Sequence, residues 1–243
     1  MKLDAAASVD RFVLDVAPRE TMTGYRLRPE VAGSGPDFEL PNVLLLHGYG
    51  GCKEELLGLA FSIVQACPVQ VYTPDLPGHG ESSGDFTMDT MSAATSTLDD
   101  ELMPLVAVGH SIGARIALAM EGPSAICAIS PPLHAGLEGD RRTLLRHLRQ
   151  RRVRERYPFE GLTAILSSLG ESPGPTRPVQ LLHSVNDLAT VSDAVDAWRS
   201  AAHIDAPPAV PASAHLDIVT SRRTFELVTN WVLRQILEQV QPV

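Results

Sequence analysis

A serine between two glycines is the residue of this sequence best suited to chemistry. Ser111 lies in the run LVAVGHSIGARIALAM, residues 105–120, where an apolar stretch typical of a strand meets Gly109-His110-Ser111-Ile112-Gly113 and leads directly into a helix-like stretch. A serine on such a sharp strand-to-helix turn is exposed as a nucleophile, and the turn needs small residues two positions before and after it. We therefore predict a nucleophilic Ser111, with a serine in an ordinary turn as the alternative.

The elements that must position this serine alternate along the chain. Stretches typical of strands lie at 12–16, 23–28, 43–46, 69–73, 105–108, 125–129, 179–183 and 208–210. Stretches typical of helices lie at 54–66, 91–102, 112–120, 192–202 and 222–240. Apolar strands separated by helices predict an α/β fold in which a mostly parallel central sheet of about eight strands is flanked by helices.

One interval breaks the alternation. Residues 131–177 separate a strand from the next by far more chain than such connections usually need. We predict a single domain over residues 1–243, in which 131–177 form an inserted lid or a disordered segment. Eight arginines are concentrated in this interval, at positions 141, 142, 146, 149, 151, 152, 154 and 156.

Composition restricts the function classes. The 243 residues carry a formal net charge of −9, which disfavours a nucleic-acid partner. No apolar run is long enough for stable membrane insertion and no signal peptide is evident, so we predict a cytoplasmic protein. Three cysteines without paired spacing predict free thiols, with neither a disulfide framework nor a metal site. The sequence does not indicate an oligomeric state.

Around Ser111 the chain resembles the α/β-hydrolase fold superfamily, and the similarity extends from about Val43 to the C-terminal helix. The run HGYGGCKEE, residues 47–55, is similar to small bacterial esterases of the acyl and cinnamoyl ester type and to monoacylglycerol-lipase relatives. The stretch DLPGHGES, residues 75–82, is similar to the family's D-x-P-G-x-G-x-S turn, which has a structural role; His79 in it is interpreted as a turn residue.

The resemblance also implies an oxyanion hole. The turn His47-Gly48-Tyr49-Gly50-Gly51 looks like the family's oxyanion loop, which implies that the backbone N–H groups of Tyr49 and Ile112 face the developing oxyanion. A plain glycine loop or a phosphate cradle is the alternative, although the lysine and Ser/Thr of a P-loop are missing. Cys52, just behind this loop, is interpreted as an ordinary small residue rather than a redox-sensitive thiol.

The remaining partners of Ser111 follow from the same resemblance. Asp187 ends the stretch LLHSVND, where the family commonly shows H-G-x-x-D, with Ser184 in place of the glycine. It is the expected triad acid, and Asp193 is the fallback because a helix-capping role for Asp187 is possible. His215, in a loop before the terminal helix, is the expected general base. The order Ser111, Asp187, His215 is the one expected of this fold.

The predicted function is hydrolysis of a carboxylic ester of a small molecule through an acyl-enzyme on Ser111, with no cofactor or metal. Alternatives are a thioesterase, an amidase or peptidase on the same triad, or a ligand-binding member of the fold that does not hydrolyse. In the insertion, Leu144, Leu145 and Leu148 recur at helical spacing, which indicates an amphipathic lid helix. Arg146 and Arg149 are the candidate substrate-binding residues for an acidic group; a solvated arginine face, or a membrane or partner contact, is the alternative.

Overall fold

The computed structural model of the chain describes residues 6–30, 40–136, 152–172, 174–202 and 209–240. The strands are β1 (Ala7–Ala17), β2 (Glu20–Pro29), β3 (Asn42–Leu46), β4 (Gln70–Pro74), β5 (Val106–His110), β6 (Ala125–Ile129), β7 (Val179–Leu182), β8 (Ser184–Asn186) and β9 (Val210–Ala214). The helices are α1 (Leu57–Ala66), α2 (Met88–Leu102), α3 (Ile112–Ala119), α4 (Glu160–Leu169), α5 (Ala189–Ala202) and α6 (Arg222–Val240). Short 3-10 helices span Lys53–Leu56 and Ile218–Thr220.

Seven strands form the central sheet in the order β1-β2-β4-β3-β5-β6-β7. The β1–β2 and β2–β4 pairs are antiparallel, and the five strands from β4 to β7 in that order are parallel. Parallel strands need a crossover between them, and the helices supply it. This confirms the predicted α/β fold with a mostly parallel sheet.

The parallel part of the sheet is buried on both faces. Along β3, Val43 and Leu45 join a core that includes α1 and α6, while Leu44 and Leu46 join a second core that includes α2 and α4. Alternate side chains of a strand point to opposite faces, so a strand between two helical layers must be apolar throughout. Burial of both faces explains why residues 43–46, the run that predicted β3, are apolar without interruption.

Two features differ from the sequence prediction. The strand expected at 208–210 is β9, and it pairs with the unpredicted β8 in a separate two-stranded parallel sheet, so the central sheet has seven strands rather than about eight. Helix α4 lies inside the interval 131–177, where no helix is predicted at these positions. Its apolar residues recur at helical spacing, at Leu162, Ile165, Leu166 and Leu169, which is the signal that indicates it.

A buried ion pair holds the loop after β3 against the turn after β4. Lys53 Nζ lies 2.8 Å from Asp75 Oδ2, and the two side chains are 2% and 0% exposed. The Asp75 carboxylate also accepts the backbone N–H groups of Lys53 (2.7 Å) and Glu81 (2.9 Å). Burial alone would raise the pKa of Asp75, but Lys53 and these amides outweigh it and hold the pKa below its usual value.

Replacing Asp75 by asparagine is expected to lower the free energy of unfolding by up to about 3 kcal/mol, because Lys53 would lose its buried carboxylate partner and keep the exposed Glu54 (3.1 Å) and Glu81 (3.4 Å). Urea unfolding at neutral pH measures the change. The matched control is Asp10→Asn, which removes a carboxylate from an exposed pair with Arg28 and should shift the transition little. Equal effects of the two substitutions would contradict the assignment.

Candidate active site

Strand ends bring three distant side chains to one place. Ser111 follows the last residue of β5, Asp187 follows β8, and His215 follows β9. Strands β8 and β9 run parallel with Asn186 opposite Ala214, so the chain leaves the two strands at neighbouring positions. Asp187 and His215 therefore emerge side by side.

Ser111 lies on a strained turn. Its backbone has φ 53° and ψ −122°, between the end of β5 and the start of α3. A Cβ at Gly109 would lie 2.4 Å from the carbonyl group of Gly113, and a Cβ at Gly113 would lie 2.5 Å from the backbone oxygens of Leu46 and His47. Both positions therefore require glycine, because a side chain would collide with backbone rather than with a movable group.

His215 bridges the other two side chains. Its Nδ1 lies 2.7 Å from Asp187 Oδ1, and its Nε2 lies 3.1 Å from Ser111 Oγ. An ionised carboxylate can only accept, so Nδ1 carries the proton and Nε2 is left to accept from the serine hydroxyl. The structure thus brings Ser111, Asp187 and His215 together, while the fallback Asp193 lies exposed on α5.

The Asp187 carboxylate is fully buried and well bonded. It accepts hydrogen bonds from Ser130 Oγ at 2.5 Å and from the backbone N–H groups of Ser184 (3.1 Å) and Leu188 (2.9 Å). Burial raises the pKa of Asp187. The charge of His215 and the hydrogen bonds from His215, Ser130 and Ser184 outweigh burial and lower the pKa to about 2. The group is therefore ionised throughout the neutral range.

Ser130 is a site residue that sequence reasoning missed. It follows β6, the strand beside β5, and its backbone has φ 50°. The signal available was its place at the end of a predicted parallel strand, on the same edge of the sheet as Ser111. A serine there gave no indication of its partner, because Asp187 is brought to it only by the fold.

A second histidine, His110, is hydrogen-bonded to the backbone of His215. His110 Nε2 lies 2.8 Å from the backbone oxygen of His215, and because a carbonyl oxygen only accepts, His110 carries its proton on Nε2. The two rings lie 5.2 Å apart. His110 thus contacts the backbone of His215 from within the turn that carries Ser111.

The Tyr49 and Ile112 amides lie at the same pocket as Ser111. Ile112 is the first residue of α3, where an N–H group has no acceptor within the helix. In the part of the chain that the structure describes, neither amide donates to a protein acceptor. Both donors are thus available to an oxygen in the pocket.

Two buried histidines fix the loop that carries Tyr49. The Leu76 N–H donates to His47 Nε2 at 2.9 Å, and the Gly50 N–H donates to His79 Nε2 at 3.0 Å. His79 Nδ1 donates to the Pro77 oxygen at 2.9 Å. Burial, together with the nearby His47, lowers the pKa of His79 to about 3, so the ring stays neutral and accepts the Gly50 amide at neutral pH.

The pocket above Ser111 encloses about 720 Å³, including space open to solvent. Its wall is mostly apolar and is formed by Leu133, Leu162, Leu166, Leu188, Val191 and Leu216. His134 lies at the same wall, with its Nδ1 2.9 Å from Glu171 Oε2. A pocket of this kind suits an apolar group next to the reacting carbonyl.

The arginines of the insertion fall into two groups. Arg146 and Arg149 lie outside the described residues. Of those described, Arg154 donates to the backbone oxygens of Gly80 (3.1 Å) and Ser82, and Arg152 contacts Glu55 at 3.6 Å. These two arginines pair with protein groups and are absent from the pocket wall.

The Cys52 thiol lies behind the loop and is partly buried. Burial, with a smaller effect of Glu54, raises the pKa of Cys52 to about 11, so the thiol is protonated at neutral pH. Within the described ranges, no cluster of three or more histidine, cysteine, aspartate or glutamate side chains could hold a metal ion. No helix in those ranges is long and apolar enough to cross a bilayer.

Comparison with known proteins decides the family. The model of the alpha/beta hydrolase family matches residues 43–238, which include Ser111, Asp187 and His215. This chain belongs to the alpha/beta hydrolase family. The resemblance that the sequence motifs indicated is confirmed.

Relatives of this alpha/beta hydrolase differ in reaction. The 2-succinyl-6-hydroxy-2,4-cyclohexadiene-1-carboxylate synthase of Escherichia fergusonii is 30% identical over 183 residues, 68% of this chain and 70% of that protein. The sn-1-specific diacylglycerol lipase ABHD11 of Mus musculus is 36% identical over 96 residues, which are 37% of this chain and 31% of the lipase. The fold is similar to that of an esterase of Pyrobaculum calidifontis, with a TM-score of 0.67, 13% identity and 96% and 87% of the two chains covered.

Replacing Asp187 by asparagine is expected to lower kcat about 10³- to 10⁴-fold, because the amide cannot hold His215 in the same tautomer. The stability that the ionised carboxylate contributes is present above its unfolded pKa of 3.8 and is lost as pH falls toward about 2. The difference in unfolding free energy between the wild type and this variant should therefore shrink between about pH 4 and pH 2.

The matched substitution is Asp193→Asn, which changes the fallback acid. We expect its kcat to stay near that of the wild type, since Asp193 is exposed on α5. Steady-state kinetics and thermal unfolding at several pH values provide both measurements. A larger loss of kcat in Asp193→Asn than in Asp187→Asn would reverse the assignment.

Proposed function

We propose that this hydrolase cleaves a carboxylic ester through an acyl-enzyme on Ser111, with His215 as general base and Asp187 as the acid that orients it. The observation that carries the proposal is the position of the His215 ring, which contacts Ser111 Oγ through Nε2 and Asp187 Oδ1 through Nδ1. Such a ring can take the serine proton during attack and return it to the leaving alcohol.

The course of the reaction follows from that proton transfer. As Ser111 Oγ bonds to the ester carbon, its proton passes to His215 Nε2 and negative charge develops on the carbonyl oxygen. The Tyr49 and Ile112 amides are the proposed donors to this oxygen, and one such donor contributes a factor of about 10²–10³ in kcat. The alcohol leaves with the proton from His215, and a water activated by the same nitrogen hydrolyses the acyl-enzyme.

The pocket favours an ester with an apolar acyl group. Leucines are the most frequent residues of its wall, and no lysine or arginine is among the described residues that form it. A buried apolar group gains about 0.8 kcal/mol for each methylene removed from water. An acyl chain long enough to contact Leu162 and Leu188 would thus bind better than acetate.

The insertion is proposed to act as a cap on this pocket. Leu133, Leu162 and Leu166 belong to residues 131–177 and form part of the pocket wall. A cap that supplies apolar wall residues excludes water from the acyl-enzyme until the alcohol has left. We propose the range 131–177 as the cap of a single domain.

A second candidate is a non-hydrolytic reaction of a carboxylate. The relative from Escherichia fergusonii, 30% identical, is named as a synthase whose product is a cyclohexadiene carboxylate. Ser111 and His215 could act there as a base rather than a nucleophile. A cation is the strongest partner for a carboxylate, and Arg146 and Arg149 are the candidates for that contact.

p-Nitrophenyl esters of increasing acyl length test the proposal directly. We expect kcat/KM to rise about fourfold per added methylene, from acetate until the pocket is filled, and Ser111→Ala to lose at least about 10³-fold. The control is Ser168→Ala, an exposed serine on α4, which should keep wild-type rates. Hydrolysis that survives in Ser111→Ala would rule out the acyl-enzyme, and activity on carboxylates alone would favour the second candidate.

A further inference from the structure

A glutamate outside the triad, Glu155, connects the proposed oxyanion loop to the start of α4. Glu155 Oε1 accepts hydrogen bonds from the Tyr49 hydroxyl and from the Phe159 N–H at 2.6 Å. Its Oε2 accepts the Gly161 N–H at 3.2 Å. One carboxylate thus bonds the residue whose amide is the proposed oxyanion donor and two amides at the start of α4.

The Tyr49 side chain is held on several sides. It is 5% exposed, its ring stacks on Phe159 at 5.1 Å, and the rings of Phe86 and His79 lie 5.8 Å and 5.9 Å away. Burial, with the hydrogen bond and charge of Glu155, raises the pKa of Tyr49 far above its usual value. The hydroxyl therefore stays protonated and donates to Glu155 at all ordinary pH values.

The backbone next to Tyr49 has little rigidity of its own. Gly48 precedes it and Gly50, with φ 69°, follows it. Glycine has the widest choice of backbone conformations, so a loop of this composition must be fixed from outside. The outside contacts include the Gly50 amide on His79 and the Tyr49 side chain on Glu155.

Glu155 is itself delivered to a fixed position by its neighbour. The Arg154 N–H donates to the Gly78 oxygen at 2.7 Å, and the Arg154 oxygen accepts the Phe86 N–H at 2.8 Å. The Arg154 guanidinium donates to the Gly80 oxygen and other oxygens of the same turn. The segment that carries Glu155 is therefore bonded to the turn after β4 independently of Tyr49.

Helix α4 completes the connection. Its first turn contains amides that have no acceptor within the helix, and the Glu155 carboxylate supplies one. The same helix places Leu162 and Leu166 in the pocket wall. The Glu155 carboxylate thus bonds both the proposed oxyanion loop and the helix that forms part of the pocket wall.

We propose that Glu155 is a positioning residue for the reaction: through the Tyr49 hydroxyl it holds the Tyr49 amide in place for the oxyanion, and through α4 it aligns the pocket wall with that amide. This rests on the proposed function, in which the Tyr49 amide stabilises the transition state. The interaction acts on kcat because the charge that the amide meets exists only in the transition state.

The test compares Tyr49→Phe, Glu155→Ala, Glu155→Gln and the double variant Tyr49→Phe/Glu155→Ala with p-nitrophenyl butyrate. Complete loss of an oxyanion donor costs 10²–10³-fold, so a misplaced donor should lower kcat about tenfold in Tyr49→Phe and in Glu155→Ala, with KM within about twofold. Glutamine keeps an acceptor oxygen for the Tyr49 hydroxyl, so Glu155→Gln should recover a large part of the rate.

A butyl boronic acid, which forms a tetrahedral adduct with the serine, gives a readout that a purely structural role would not change. Its affinity should fall by the same factor as kcat in each variant. The double variant should lose no more than Glu155→Ala alone, since the two groups act through one hydrogen bond. The control Glu160→Gln removes an exposed carboxylate from the same helix end and should leave kcat and boronate affinity unchanged.

Outcomes separate this inference from the proposed function. A wild type that hydrolyses no ester refutes the proposed function, whereas an active wild type with kcat unchanged in Tyr49→Phe refutes the role of Glu155 alone. Independent, additive losses in the double variant would also overturn it. If Glu155→Ala does not fold, Tyr49→Phe still decides, because in that variant Glu155 keeps its bonds to Phe159 and Gly161.

Discussion

Ser111 occupies a backbone conformation that residues with a side chain rarely adopt, and the site depends on the fold keeping it there. A residue at φ 53° and ψ −122° costs of order 1–3 kcal/mol, which the surrounding packing must offset. The offset comes from β5 on one side and α3 on the other, which approach closely enough only because Gly109 and Gly113 have no Cβ. The turn leaves the hydroxyl at the pocket and the Ile112 amide free at the helix start.

The partners of Ser111 come from a different kind of structure. Asp187 and His215 follow two short parallel strands that form their own sheet beside the main one. This arrangement fixes the separation of the carboxylate and the imidazole independently of the serine. Ser130, at the end of β6, donates to Asp187 Oδ2, the oxygen that does not face His215, and joins the two sheets at the site. The strained turn that carries Ser111 and the buried carboxylate of Asp187 are thus supplied by separate parts of the fold.

The parts that the sequence could predict are those encoded locally. An apolar run with a glycine-flanked serine specifies strand, turn and helix within residues 105–120, and both glycines meet the predicted steric need. Asp187 and His215 could be named only through family resemblance, because their meeting depends on β8 and β9, and β8 is three residues long. Glu155 carried no local signal, and Ser130 carried only its place at the end of a predicted strand, since each acts through a partner far away in the chain. Arg146 and Arg149 lie outside the described residues, so their role stays a prediction.

Activation of one serine through His215 is what the proposed chemistry requires of the fold. Intact-protein mass spectrometry after incubation with a fluorophosphonate, followed by peptide mapping, measures this activation, because the probe reacts with an activated serine and stays bonded to it. We expect a single adduct on Ser111 in the wild type, and labelling at least about 10³ times slower in His215→Ala. An adduct on another serine, or equal labelling rates with and without His215, would show that His215 does not activate Ser111.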